Sequence, residues 1–343
     1  MYHFIRHCVS RLCPYILRDS DLTFTNSGLI AILGLVFGYV VFQPQEDVFW
    51  PDWDAPGGYG QQVARYPTDF TRDIIPLPCH SHNDYWRRIP FFNAVHAGCS
   101  SVEADVWAYG DKLYVGHSIP SLTSNRTFES LYIDPIMMVL NVMNPPTLQP
   151  YDGINGVFDE AAGQTLVLLV DFKTEGNATF IAVQKRLEPL RQKGYLTYFN
   201  GSAIVPGVVT VVGTGNTPFE LIAANTTYRE IFFDAPITAF SVENPSDDAN
   251  KYTPFNSYYA SGSLYLTVGF PWGGKYRESQ LHKIRDHIAG VRKAGLKSRF
   301  WDTPAWPIGL RNSIWAMLVQ EGQDVLNVDS LTSATKQTWG KWG

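Results

Sequence analysis

An α/β barrel of alternating parallel strands and helices is the fold this chain predicts, on three observations. Apolar runs of strand character alternate with runs of helical periodicity from residue 74 to residue 328, with no long polar gap. The run 165–170, Thr-Leu-Val-Leu-Leu-Val, is nearly unbroken apolar, as expected of a strand covered on both faces in a parallel sheet. Polar residues suited to chemistry stand where several of these runs end, and strand C-terminal ends converge on one face of a (β/α)8 barrel. At 343 residues, 45% of them hydrophobic, the chain can bury such a core, and the region after residue 72 is of ordinary size for one barrel.

In chain order, residues 1–27 form a polar lead with Arg6, Arg11 and Arg18, and residues 28–42 form an uncharged apolar stretch. With help from residues 24–27 the stretch approaches the ~20 residues that a membrane-crossing helix needs. The arginines before it and Glu46, Asp47, Asp52 and Asp54 after it place the N-terminus in the cytoplasm, with the barrel lumenal or extracellular. A single-pass signal anchor is the reading preferred to a cleaved signal peptide, because no A-x-A-like site follows; a buried core helix is the third alternative. Residues 43–72, rich in Pro, Gly and acidic residues, read as a linker, and 73–335 as the barrel.

Within the barrel, strands are expected at 74–78, 102–106, 165–170, 208–212, 231–233, 264–268, 298–301 and 325–328. Helices are expected at 91–97, 133–142, 180–190, 281–294 and 308–318. One irregular unit is allowed for. Residues 239–263, with their Asn, Ser and Pro, suggest a long loop over the mouth, where Tyr252, Tyr258 and Tyr259 would touch substrate or simply pack.

Composition excludes several classes. The formal net charge of -5 offers no broad basic surface for nucleic acid. There is no zinc-type cysteine cluster and no G-x-x-x-x-G-K-[ST] loop, and Gly213-Thr-Gly215 reads as turn chemistry after a strand. Cys79 and Cys99 either pair in an oxidising lumen or stay buried as free thiols; the sequence leaves both open. Four N-x-[ST] sequons, at Asn125, Asn177, Asn200 and Asn225, would be usable there and make a glycoprotein an expectation.

The chemistry concentrates in Ser101-Val-Glu-Ala-Asp-Val106. Alternation puts Glu103 and Asp105 on one side of the strand and Val102, Ala104 and Val106 on the other. Two anions on one face repel unless a cation lies between them, and carboxylate oxygens suit a hard divalent ion, Mg²⁺ in preference to Ca²⁺. Asp171, at the end of the 165–170 run, brings a third carboxylate, and Lys173 an ammonium. His82 and His117 offer imidazoles, the side chain whose unperturbed pKa lies nearest neutral pH. His80 is a rival to His82, two residues away on the same side of an extended strand.

Three blocks, Pro78-Cys-His-Ser-His-Asn-Asp-Tyr85, Gly98-Cys-Ser-Ser-Val-Glu-Ala-Asp-Val-Trp107 and Leu113-Tyr-Val-Gly-His117, together with Asp171-Phe-Lys173, resemble the phosphatidylinositol-phospholipase-C-like phosphodiesterase superfamily. That superfamily includes glycerophosphodiester phosphodiesterases and sphingomyelinase-D-type enzymes. Within it the chain resembles the fungal family named for altered inheritance of mitochondria, whose name also points to mitochondrial association. The N-terminus supports that address weakly, since it carries Asp19 and Asp21 besides its arginines. The resemblance implies a TIM-like barrel with Glu103, Asp105 and Asp171 holding the metal, and His82 and His117 as the catalytic pair. It implies Lys173 on the phosphate, and Asn83 resembles the asparagine that follows the first catalytic histidine and joins the metal shell, which favours His82 over His80; Asn83, Lys173 and Trp301 are expected around the substrate. The chain departs from the glycerophosphodiesterase pattern in having His-Asn for His-Arg-Gly and an aspartate as third carboxylate.

The expected activity is metal-dependent cleavage of a glycerophosphodiester or phospholipid head group, with water or a neighbouring substrate hydroxyl as nucleophile. The expected partners are that substrate and the membrane. A catalytically silent barrel that binds a lipid or a protein is the alternative from another class. Glycoside hydrolysis is weaker, since carboxylates at i and i+2 cannot flank a scissile bond from opposite sides.

Overall fold

The computed structural model of the chain describes residues 70–146 and 153–335. The expected tail and span, residues 1–42, and almost all of the expected linker lie outside the described residues. No helix among the described residues is long and apolar enough to cross a membrane.

Among the described residues, eight parallel strands follow one another around the barrel: β1 (Leu77–Ser81), β2 (Cys99–Tyr109), β3 (Leu166–Phe172), β4 (Val209–Gly215), β5 (Ile231–Pro236), β6 (Ser257–Ser263), β7 (Lys297–Trp301) and β8 (Leu326–Val328). Each neighbours the next, and β8 pairs with β1. The β7/β8 seam carries a hydrogen bond from Val325 N–H to Ser298 O (3.1 Å), which brings the barrel close to closure. A short antiparallel strand, Lys112–Val115, extends β2 at the mouth.

The helices are α1 (Phe92–His96), α2 (Asp134–Met143), α3 (Gly176–Arg186), α4 (Phe219–Ala224), α5 (Leu264–Val268), α6 (Glu278–Lys293), α7 (Ile308–Gln320) and α8 (Leu331–Thr335), with a further short turn of helix at Glu188–Gln192. Their faces explain their positions. In α6, Ile284, Ile288 and Val291 recur at i, i+4 and i+7 and are buried against the strands. In α3, the Glu175 carboxylate accepts hydrogen bonds from Asn177 N–H (3.0 Å) and Ala178 N–H (2.8 Å) and caps the first turn.

β3 shows how the sequence divides the core. Leu166, Leu168 and Val170 belong to the large cluster between strands and helices, while Val167 and Leu169 join Val212, Tyr259 and Val325 in a second cluster that fills the barrel interior. Burial on both faces is why the run is unbroken apolar. Val102, Ala104 and Val106 likewise point to the helices, leaving Glu103 and Asp105 for the interior side.

Three expectations need correction. Residues 264–268 form helix α5, and the strand expected there is Ser257–Ser263. The physical reason is Ser263: its hydroxyl accepts from Leu266 N–H (3.1 Å), so the apolar run that follows starts a helix. The loop expected over 239–263 is therefore shorter; it holds two 3-10 turns, Ile237–Ala239 and Asp247–Lys251, in place of a helix between β5 and β6. The first strand also lies further along than expected, which moves its end to the residues just before His82.

Candidate active site

The C-terminal ends of the strands surround a cavity of about 620 Å³ lined by His82, Asn83, Glu103, Asp105, His117, Asp171, Lys173, Asp234, Arg299 and Trp301 among others. All eight residues expected at the site from the sequence stand on its wall. Glu103 and Asp105 come from β2 and Asp171 from β3, where Asp171 is the register partner of Asp105. One oxygen from each of the three carboxylates lies within 4.8 Å of the others.

Local structure explains each placement. Beyond β1 the chain turns through Asn83 in a left-handed conformation (φ 48°, ψ 44°), which asparagine tolerates. The turn aims Asn83 N–H at Glu103 Oε2 (2.7 Å). Gly215, at φ 64°, gives Asp171 its room, since a Cβ there would collide with the carboxylate Oδ1. Lys173 Nζ donates to Asp171 Oδ2 (2.6 Å) and lies 3.0 Å from Asp105 Oδ2.

His82 and His80 part company. His82 Nδ1 lies 2.7 Å from Asp329 Oδ1, and its Nε2 lies 3.8 Å from Glu103 Oε2. Burial works against its charge, but the Asp329 hydrogen bond and Glu103 outweigh it and hold the imidazolium above the ordinary range. His80 is fully buried, with Nδ1 2.7 Å from Ser101 Oγ, and burial, aided by Arg299, brings it down to about 4. His80 is neutral and absent from the cavity wall; its partner Ser101 accepts from the Tyr259 hydroxyl (3.1 Å), deep in the barrel. Tyr259 is thus an interior residue, while Tyr252 lines the cavity.

The carboxylates divide in charge. Burial, with Glu103 and Asp171 nearby, pushes Asp105 up to about 7, and burial raises Asp171 despite Lys173. Glu103 moves the other way, because His80, His82 and Arg299 overcome its burial. Asp105 Oδ1 is buried with no hydrogen-bond partner among the described residues.

Several site residues escaped the sequence reading. Asp329, just past β8, obeys the same strand-end rule that picked out Asp171 and could have been found by it. The Tyr85 hydroxyl donates to Asp105 Oδ2 (2.8 Å) and stands 3.2 Å from His117 Nδ1. Arg299, from β7, is 3% exposed and donates to Ser261 Oγ (3.0 Å), Asn327 Oδ1 (2.8 Å) and Asp234 Oδ2 (3.1 Å). A lone arginine within an alternating strand was the available signal. Cys79 and Cys99, left open above, form a disulfide between β1 and β2.

A parallel barrel with acidic and imidazole groups gathered at its strand C-terminal mouth is thus the class that fold and site define, and residues 68–234 match the AIM6-like phosphodiesterase domain. The chain is 42% identical over 285 residues to an altered inheritance of mitochondria protein 6 homolog of Arthroderma benhamiae, covering 79% of this chain and 87% of that one. It is 34% identical over 280 residues to altered inheritance of mitochondria protein 6 of Eremothecium gossypii, covering 78% and 71%. The chain belongs to the altered inheritance of mitochondria protein 6 family. Among solved structures it is similar to a glycerophosphodiester phosphodiesterase from Agrobacterium tumefaciens, at 13% identity and a TM-score of 0.39, covering 77% of this chain and 99% of that one.

Proposed function

We propose that this chain is a metal-assisted phosphoric diester hydrolase that acts on a glycerophosphodiester or phospholipid head group through His82 and His117. The observation that carries the reading is the convergence of Glu103, Asp105 and Asp171 within 4.8 Å in a cavity that both histidines line.

The residues fit a hard divalent cation, Mg²⁺ ahead of Ca²⁺. All three donors are carboxylates, Lys173 offsets only part of their charge, and Asp105 Oδ1 is buried without a hydrogen-bond partner among the described residues. Glu103, Asp105 and Asp171 would hold it, and when bound it would neutralise charge that builds on the phosphate oxygens. Lys173 and Arg299 line the same wall and add positive potential around the phosphate.

His82 is oriented for proton transfer. With Nδ1–H held by Asp329, the Nε2 of the neutral imidazole, the form present above the raised His82 pKa, is left to take the proton of the attacking water or substrate hydroxyl. His117, beside Trp86 with ring centroids 4.8 Å apart, gives a proton to the leaving alkoxide. Asn83 and Trp301 contact the head group. A substrate hydroxyl as nucleophile would leave a cyclic phosphate; water would leave a monoester.

Residues 28–42 are proposed as a single membrane span with the barrel on the far side from the cytoplasm, and the Cys79–Cys99 pair supports an oxidising compartment. The functional test is incubation of the purified chain with a panel of glycerophosphodiesters and phospholipids, with and without chelator, products read by mass and phosphorus NMR. Turnover that survives chelation removes the cation, and a His117→Ala variant with full activity removes the histidine pair.

A further inference from the structure

Large apolar side chains stand in water along one arc of the barrel mouth. The segment after β6 exposes Leu266 (78%), Phe270 and Trp272 (79%), the segment after β7 exposes Trp306 (78%) and Ile308, and the turn after β1 exposes Trp86. Strands β6, β7, β8 and β1 are consecutive around the barrel, and each segment leaves a strand C-terminal end, so these side chains share one side of the mouth. The Ser263 hydroxyl donates to Asp302 Oδ2 (2.6 Å) and ties the first two segments together. The arc is continuous with the cavity, since Trp301 lines it and Trp86 packs on His117.

Charge along the arc runs against the rest of the chain. The whole sequence is formally -5, yet residues 264–277 hold Lys275 and Arg277 and no carboxylate, and Arg88 is exposed near Trp86. Asp302, the acidic residue between Trp301 and Ile308, is engaged by Ser263. Large apolar side chains gathered in the open on one side of a molecule mark an interaction surface. Tryptophan rings interleaved with basic residues suit the head-group layer of a membrane, where aromatic rings settle and anionic lipids attract Lys and Arg.

We propose that this arc seats the barrel mouth on an anionic lipid bilayer. The contact rests on these apolar and basic side chains alone and stands whether or not the phosphodiester reading holds; it is a membrane contact additional to any made by residues 28–42.

The test uses the full chain with Cys8 and Cys13 replaced by serine, carrying an environment-sensitive fluorophore at Trp272→Cys or, in a second variant, Leu266→Cys. A third variant, labelled at Lys193→Cys in the exposed turn that leads toward the N-terminal end of β4, is the control. With phosphatidylserine-containing vesicles, emission at 272 and 266 shifts to the blue and is quenched by nitroxide lipids within the bilayer, and the label at 193 does not respond. Replacing Lys275 and Arg277 by alanine weakens the lipid dependence about fivefold per residue. The readout is local, so attachment of the chain through another segment does not imitate it, and no turnover is needed. Labels at 272 and 266 that stay in water, or a control that responds equally, overturn the proposal. An equal response to phosphatidylcholine vesicles overturns the anionic preference.

Discussion

His82 Nδ1 and Asp329 Oδ1 lie 2.7 Å apart although 247 residues separate them, because β8 closes the barrel beside β1. The carboxylate fixes which imidazole nitrogen carries the proton, and Arg87 braces the pair by donating to His82 O (3.0 Å) and Val328 O (3.1 Å).

Replacing Asp329 with Asn should lower turnover by about 10²-fold or more, since tautomer and orientation are lost together. The raised affinity of His82 for its proton also gives a sign for stability. Its contribution is full below the unfolded pKa of about 6.5 and disappears as pH rises through the folded pKa. Asp329→Asn should therefore destabilise the chelated protein more at pH 5.5 than at pH 9 in urea titrations. An equal loss at both pH values would refute the coupling.

Asp105 makes the opposite kind of contribution. A carboxyl raised from 3.8 to about 7 opposes folding as pH climbs above its unfolded value, and does so fully above 7. In chelator at pH 8, Asp105→Asn should be more stable than the parent by ~2 kcal/mol, several degrees in midpoint. Added Mg²⁺ should then raise the midpoint of the parent and leave the variant unmoved. Thermal melts with and without the ion check both halves, and a variant that responds to Mg²⁺ like the parent removes Asp105 from the cation site.

The Cys79–Cys99 bond joins neighbouring strands across a sequence separation of 20. Closing a loop of that length is worth about 3 kcal/mol through the unfolded chain. The double alanine variant should lose roughly that stability, and reductant should have a comparable effect on the parent while leaving the variant unchanged.

Arg299 and Asp234 form a buried pair, 3% and 8% exposed. Arg299→Met should cost about 3–5 kcal/mol because it strands Asp234 inside the barrel, and adding Asp234→Asn should recover part of the loss. Chemical denaturation of the two variants gives the comparison; additive losses would show that the residues do not act as a pair.

The sequence by itself determined the alternation of strands and helices, the two-sided burial of β3 and the shared face of Glu103 and Asp105. These follow from periodicities of 2 and 3.6, which act between residues a few positions apart. Only the tertiary structure decided which distant residues meet. Asp329 reaches His82 because β8 lies beside β1, and Arg299 finds Asp234, Ser261 and Asn327 because four strands turn alternate residues inward. His82 was separated from His80 by depth in the barrel, which no local pattern encodes. Strand and helix change places around Ser263 for a different, local reason: a short apolar run has no intrinsic preference strong enough to choose, and the capping hydroxyl of Ser263, three residues before Leu266, settles the outcome.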